Sequence, residues 1–351
     1  MSSLEDFIGY TEEQPKGKEK VLLVDTNNMS MRCLYALAYD PTDTQFTSYK
    51  IAFLQSLKKA IKQFHPNKII FCQEGGNNWR KEHFDSYKIS RAQGYDESKI
   101  DFNVFFQMNN EFIAGLQKAL QNALFLRIPR LEADDLIGLI TKYRQDWDIL
   151  LISTDKDFYQ LHKYPNFKQY NPVSHKFIEV LNPELALMQK IIIGDGSDDI
   201  PQLMFRVGPK TVEALYMKGE INEWVKKNNL QPAFDRNRLL IDFDYIPKEY
   251  HQPVIDAVAN WEQGKFNGRE YYNFVINEHL GKELEKIDES LEIFNRVKGS
   301  NQKPADPQKI NIPKQPKTPE PTKTNSWERE QWFCNGQPYE EPGDPSLRQG
   351  S

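Results

Sequence analysis

Four short apolar runs, each closing on or near a polar group, mark the first half of the chain: "VLLVD" (21–25), "KIIFCQE" (68–74), "ALFLRI" (123–128) and "DILLISTD" (148–155). An unbroken apolar run of this length fits a strand buried on both faces, as in a parallel sheet. Between the runs lie stretches with helical character, Tyr49–Phe64, Val104–Leu120 and Glu132–Arg144. Strand and helix in alternation predict a parallel α/β sheet flanked by helices over residues 21–180. From 181 to 298 the pattern turns mostly helical. Residues 299–351 hold nine of the chain's 21 prolines among many Lys, Gln and Asn. Such a stretch buries too little apolar surface to offset its chain entropy, so disorder is expected there. Residues 1–20 read as a flexible peptide outside the fold.

Composition narrows the class without naming it. The chain has 351 residues, 39% of them hydrophobic, and a formal net charge of −5. Overall charge therefore does not announce a nucleic-acid binder, although acids gathered in one site can hide bases gathered elsewhere. Cys33, Cys72 and Cys334 are far apart, with no zinc spacing, and fit a reducing cytoplasm with Cys33 and Cys72 as small core residues. With no apolar leader and no run of about 18 apolar residues, neither secretion nor a membrane span is expected.

The acids carry the chemistry. Asp25 and Glu74 close two strands, and Asp155 and Asp157 follow a third in "ISTDKDFYQL". Glu132, Asp134 and Asp135 stand in "RLEADDLIGLI", and Asp195, Asp198 and Asp199 in "IGDGSDDIPQL". On a helix Glu132 and Asp135 share a face, with Asp134 turned roughly 100° from Asp135. Each cluster alone has a plain explanation: a helix N-terminus favoured by the dipole, a capping turn, a polar loop. Together they spread ten acids over five element ends of one α/β domain, where active sites gather at the carboxyl ends of strands. Hard Mg²⁺ takes oxygen ligands and keeps waters. Two such ions about 4 Å apart activate water and stabilise the leaving oxygen of a phosphodiester. A metal-dependent nuclease follows as the leading expectation.

In order along the chain, "LLVDTNN", "WRKEHFDSYKISR", "LEADDLIGLI", "ISTDKDFYQL", "GDGSDDIP" and "FRVGPKTVEALY" resemble the flap endonucleases and 5′→3′ exonucleases of DNA replication. The likeness runs over roughly residues 3–295 and is strongest to the phage RNA-primer-removing branch. It implies a PIN-like nuclease domain, a helical region with a helix-hairpin-helix, and two Mg²⁺ sites at which Mn²⁺ can substitute. By resemblance Asp25, Glu132, Asp134 and Asp135 are ligands of the first site, with Glu74 in place of an aspartate. Asp155, Asp157, Asp195 and Asp198 are ligands of the second. Asp199 stands where relatives often carry Asn.

The basic elements complete the expectation. Residues 79–99 place Arg80, Lys81, Lys88 and Arg91 at helical spacing among Trp79, Phe84 and Tyr87, either as a solvated amphipathic helix or as the family's arch. By resemblance Lys88 and Arg91 contact the scissile phosphate, where a fixed cation offsets growing charge. Arg80 and Lys81 are expected to touch DNA. In "FRVGPKTVEALY" the Gly208-Pro turn opens a helix whose N–H groups suit a phosphate, aided by Lys210, with Arg206 where relatives have Gly. Leu4, Phe7 and Ile8 resemble a sliding-clamp-binding peptide. The reading is thus a monomeric Mg²⁺-dependent 5′→3′ exonuclease and flap endonuclease, acting on DNA and RNA–DNA duplexes in the cytoplasm of an infected bacterium. The clamp and a single-strand-binding protein are its possible partners. A catalytically weak clamp-tethered DNA-binding factor is the alternative, and a phosphomonoester hydrolase using Asp25 is disfavoured because position 27 is Asn27.

Overall fold

The computed structural model describes residues 17–299, except 38, 39, 41, 97 and 98. The clamp-peptide residues Leu4, Phe7 and Ile8 and the tail beyond 299 lie outside these. Six strands form one sheet: β1 (Glu19–Asp25), β2 (Lys68–Gln73), β3 (Leu124–Arg127), β4 (Trp147–Ile152), β5 (Phe167–Asn171) and β6 (Lys176–Ile178). Their order is β3-β2-β1-β4-β5-β6, parallel throughout except for β6, which runs antiparallel to β5. The α/β class is as expected. β5 and β6 were not anticipated: "FKQYN" and "KFI" lack the apolar run that marks β1 to β4.

Helices α1 (Thr26–Tyr35), α2 (Thr47–Phe64), α3 (Ile89–Asp96), α4 (Phe102–Ala119) and α5 (Ala133–Tyr143) belong to the α/β part. Then follow α6 (Pro183–Ile193), α7 (Pro209–Met217), α8 (Ile221–Lys227), α9 (Gln231–Ile241), α10 (His251–Ala259), α11 (Gly268–Asn277), α12 (Gly281–Leu284) and α13 (Ile287–Asn295). Alternation along β1 sends Leu22 and Val24 to one core, with α1, α2, α4 and the α11–α13 segment. It sends Val21 and Leu23 to the other, with α5 and α10. Cys33 and Cys72 are buried core residues, as expected.

The change at residue 181 marks a change of secondary structure, and it is no boundary between cores. All the described residues fall within one compact unit. Phe243 and Val254 join the α5 side, while Tyr271, Phe274 and Phe294 join the α2–α4 side. The latter attachment is reinforced by a buried ion pair. Lys58 Nζ in α2 lies 2.6 Å from Glu283, which also accepts from Tyr271 Oη at 2.8 Å and Ser290 Oγ at 2.6 Å. A buried charge this fully bonded escapes most of its desolvation cost. A third cluster, built by α6–α9 with Tyr87, supports the remaining acids.

Candidate metal centre and nucleic-acid interface

The chain runs β1, β2, β3 in one direction across the sheet and β4, β5, β6 in the other, so the order reverses between β1 and β4. A crevice opens at the carboxyl ends of strands flanking such a switch point. Asp25 ends β1 there, and Asp155 follows β4 by three residues. Glu74 lies one residue past β2, at a strand end that depends on glycine. A Cβ on Gly75 would fall 1.8 Å from the Ile128 carbonyl oxygen. The Asp155 loop is braced internally: Asp155 N donates to Ser153 Oγ at 3.0 Å, and Asp157 N to Asp155 Oδ1 at 3.0 Å. Buried Gln169 Nε2 donates to the Ser153 and Asp155 carbonyls at 3.0 and 2.7 Å.

Members of two groups of acids meet in one narrow cleft, whose walls include Glu132 and Asp134 of the first and Asp157, Asp195 and Asp198 of the second. In the first group, burial and the neighbouring Asp155 charge push Asp25 up to about 6. Burial and the Glu132 charge push Glu74 up to about 8. Burial, Asp25 and Asp155 hold Asp134 well above the carboxylate range. These are like charges crowded out of water, with Lys88 too little to offset burial and repulsion. Glu132 is the exception. Burial alone would raise it, but Lys88 and Arg80 pull it down to about 2. Lys88 Nζ lies 2.5 Å from Glu132 Oε1 and 3.6 Å from Asp198 Oδ2, so it straddles both groups.

In the second group one carboxylate oxygen each from Asp157, Asp195 and Asp198 lies within 4.8 Å of the others. Here the protein supplies its own cations. Lys190, in the last turn of α6, pairs with Asp157 and, at 2.8 Å, with Asp195. Arg91 Nη2 lies 2.5 Å from Asp198. Tyr87 Oη bridges the groups, 2.8 Å from Glu132 and 3.1 Å from Asp198. The named donors of both groups are carboxylate oxygens, among the described residues the Asp157, Asp195 and Asp198 cluster includes neither His nor Cys, and the first group has more negative charge than it can shed by pairing. That chemistry fits hard divalent cations.

Comparison with known proteins agrees. Residues 20–190 match the model of the 5′-3′ exonuclease N-terminal, resolvase-like domain. The chain belongs to the flap endonuclease and 5′→3′ exonuclease family. It is 27% identical to the ribonuclease H of Enterobacteria phage T4 over 299 residues, 78% of this chain and 96% of that one. It is also 27% identical to the DNA polymerase I of Bacillus subtilis over 209 residues, 55% of this chain and 23% of that longer one. In fold it is similar to the zinc-bound T5 5′-exonuclease, with TM-score 0.54, 19% identity, and coverage of 79% of this chain and 100% of that one. A T5 D15 flap endonuclease complexed with DNA and metal ions gives TM-score 0.53, 18% identity, and coverage of 78% and 100%. Family membership makes this chain a 5′ nuclease.

Against the expected residue roles, this nuclease shows three departures. Arg80 was expected on DNA, yet it is 2% exposed. Its guanidinium holds Asp135 at 2.6 and 2.9 Å and Glu132 at 3.2 Å, and its Nε donates to the Leu240 carbonyl. Asp135 was expected on an ion, yet it is 0% exposed and spent on Arg80, Trp79 Nε1 and the Glu132 N–H, the last in a capping box. Helical spacing through 79–99 also fails. A 3₁₀ turn at Trp79–Glu82 is followed by turns, and Lys88 is left-handed (φ 59°) before α3 begins. Lys81 therefore stands exposed apart from Lys88 and Arg91.

The remaining expected residues are placed as follows. Asp134 is half-buried where Asp135 is fully buried, and it lies near enough to Asp25 for each to shift the other's affinity for protons. Gly208 is the N-cap of α7 with Pro209 next, and Lys210 is exposed. Arg206 takes the left-handed geometry (φ 66°) that suits glycine, its guanidinium 5.2 Å from the exposed Phe205 ring. Sequence reasoning missed Lys190 and the bridging role of Tyr87. The available signal for Lys190 was a lone cation inside the apolar "LALMQKIII".

Proposed function

We propose that this nuclease is a divalent-metal-dependent 5′→3′ exonuclease and flap endonuclease, using Mg²⁺ with Mn²⁺ as substitute, that removes RNA primers and 5′ flaps during phage DNA replication. The observation that carries the metal reading is the convergence of Asp157, Asp195 and Asp198 oxygens within 4.8 Å in the cleft that also holds Glu132 and Asp134. Asp155, Asp157, Asp195 and Asp198 would hold one ion. Asp25, Asp134, Glu132 and Glu74 would hold the other, with Asp135 behind them as a support. Bound there, such ions supply charge stabilisation for the phosphate oxygens and lower the pKa of water.

The chain's own residues orient the substrate. Lys88, reaching both acid groups, and Arg91 beside it present two cations at the lip of the cleft, where a phosphate enters. In the proposed hydrolysis water adds to phosphorus and the P–O3′ bond breaks, leaving a 5′-phosphate on one product and a 3′-hydroxyl on the other. Duplex held through its phosphates at Gly208, Lys210 and Arg206 requires no base reading, which suits recognition of structure over sequence. The clamp and single-strand-binding protein are proposed partners, the former through Leu4, Phe7 and Ile8.

Matched 5′-labelled RNA and DNA flaps test this reading. Cleavage near the junction with Mg²⁺ and none with chelator is the expected result. An intact flap in both Mg²⁺ and Mn²⁺ would defeat it.

A further inference from the structure

Asp199 is set apart from its neighbours. Asp195 and Asp198 face the cleft, whereas Asp199 does not line it. Asp199 ends the short turn Gly196–Asp198 in left-handed geometry (φ 57°), and its Oδ2 accepts from Ser90 N at 2.8 Å. Ser90 stands in the first turn of α3, whose first turn carries no acid of its own. The residue before that helix is Lys88, and a lysine side chain accepts no hydrogen bond. Asp199 therefore serves α3 as an N-terminal cap supplied from another element, satisfying an N–H that the helix cannot satisfy itself.

The capped segment contains the cations proposed to meet the phosphate. Lys88 is in disfavoured left-handed backbone and must be held there. Several ties run to the same loop. Lys88 N donates to the Asp198 carbonyl at 3.1 Å and Arg91 Nε to the Ser197 carbonyl at 3.1 Å. The Lys88 and Arg91 side chains lean on the Asp198 carboxylate. An ion in the cleft competes for that carboxylate, and a phosphate competes for the two cations, so these side-chain ties slacken when the site is filled. The Asp199 carboxylate lies outside the competition.

We propose that Asp199 is a positioning residue for phosphodiester cleavage: it pins the start of α3 to the Asp195–Asp199 loop, so that Lys88 and Arg91 keep their places when ions and substrate draw on Asp198. The kinetic part of this proposal rests on the nuclease reading; the pin itself does not.

Two variants of the full chain separate the acceptor from the backbone. Asp199→Gly removes the acceptor while suiting the left-handed backbone, so folding is preserved. Asp199→Asn keeps an acceptor oxygen. In single-turnover cleavage of a 5′ DNA flap at saturating enzyme, Asp199→Gly is expected to be about 10- to 100-fold slow, as misplaced groups are. Flap affinity in chelator should stay within about two-fold and Asp199→Asn within about three-fold of the parent rate. Hydrogen exchange across residues 86–92 should quicken in Asp199→Gly and stay slow in Asp199→Asn. Parent-rate cleavage by Asp199→Gly, an Asn variant as slow as the Gly variant, or unchanged exchange would overturn the proposal. A parent protein that leaves the flap intact would sink the nuclease reading, and the exchange measurement would then judge the pin alone.

Discussion

The two halves of the acidic cleft solve the same electrostatic problem differently. Asp25, Glu74 and Asp134 crowd together with raised affinities for protons, because burial and mutual repulsion outweigh the one nearby lysine. Asp157, Asp195 and Asp198 instead lean on Lys190, Arg91 and Lys88, and Lys190 keeps Asp195 below its ordinary range against burial. The first half has an unmet demand for positive charge. The second has its demand met by side chains that an incoming cation must displace. In the proposed two-ion reading, the difference predicts unequal ion affinities, with the charge deficit drawing its ion more strongly.

Several substitutions sharpen or break that contrast. Asp134→Asn or Asp195→Asn should each lower flap cleavage in Mg²⁺ by about 10³-fold or more, since in the proposed two-ion reading either ion would contribute several kcal/mol to the transition state. Filter binding should find duplex affinity unchanged within a few-fold; parallel loss of binding and cleavage would speak against the ligand roles. Arg80→Met tests a carboxylate that is already satisfied. It strands buried Asp135, and denaturant unfolding should show a loss of about 3–5 kcal/mol that added Mg²⁺ does not restore. Rescue by Mg²⁺ would make Asp135 a ligand after all. Lys190→Met removes the competitor in the second half, so the Mg²⁺ concentration giving half-maximal cleavage should fall by about three- to ten-fold. A rise would assign Lys190 to the substrate. Lys81→Ala, an exposed lysine on the turn, should weaken duplex binding about two-fold and reduce its salt dependence by about one counterion.

Much of this was legible from residues. The inner strands announced themselves because a strand buried on both faces has to be apolar along its length, and the acids stood out as charges placed where the core runs end. β6, at the sheet edge, escapes that rule because one side of an edge meets solvent, and β5 beside it escapes because its buried Gln169 is satisfied by the Ser153 and Asp155 carbonyls, a pairing invisible in sequence. Arg80 was misread because its partners lie far off in sequence: the Asp135 pair spans 55 residues and the Leu240 carbonyl 160. Periodicity along 79–99 held no trace of them. Left-handed geometry at Lys88 was equally invisible, as nothing about lysine favours it. Lys190 shows the same limit: the cost of a cation in an apolar helix was visible, while the carboxylates that meet it were not.

The central claim is that the cleft holds two divalent ions, one for each group of acids. Calorimetric titration of Mn²⁺ into the chelator-stripped chain tests it most directly. The account predicts two ions per chain, with Asp134→Asn abolishing one binding event and Asp195→Asn the other. No binding to the parent chain, or the same titration curve for the parent and both variants, would contradict it.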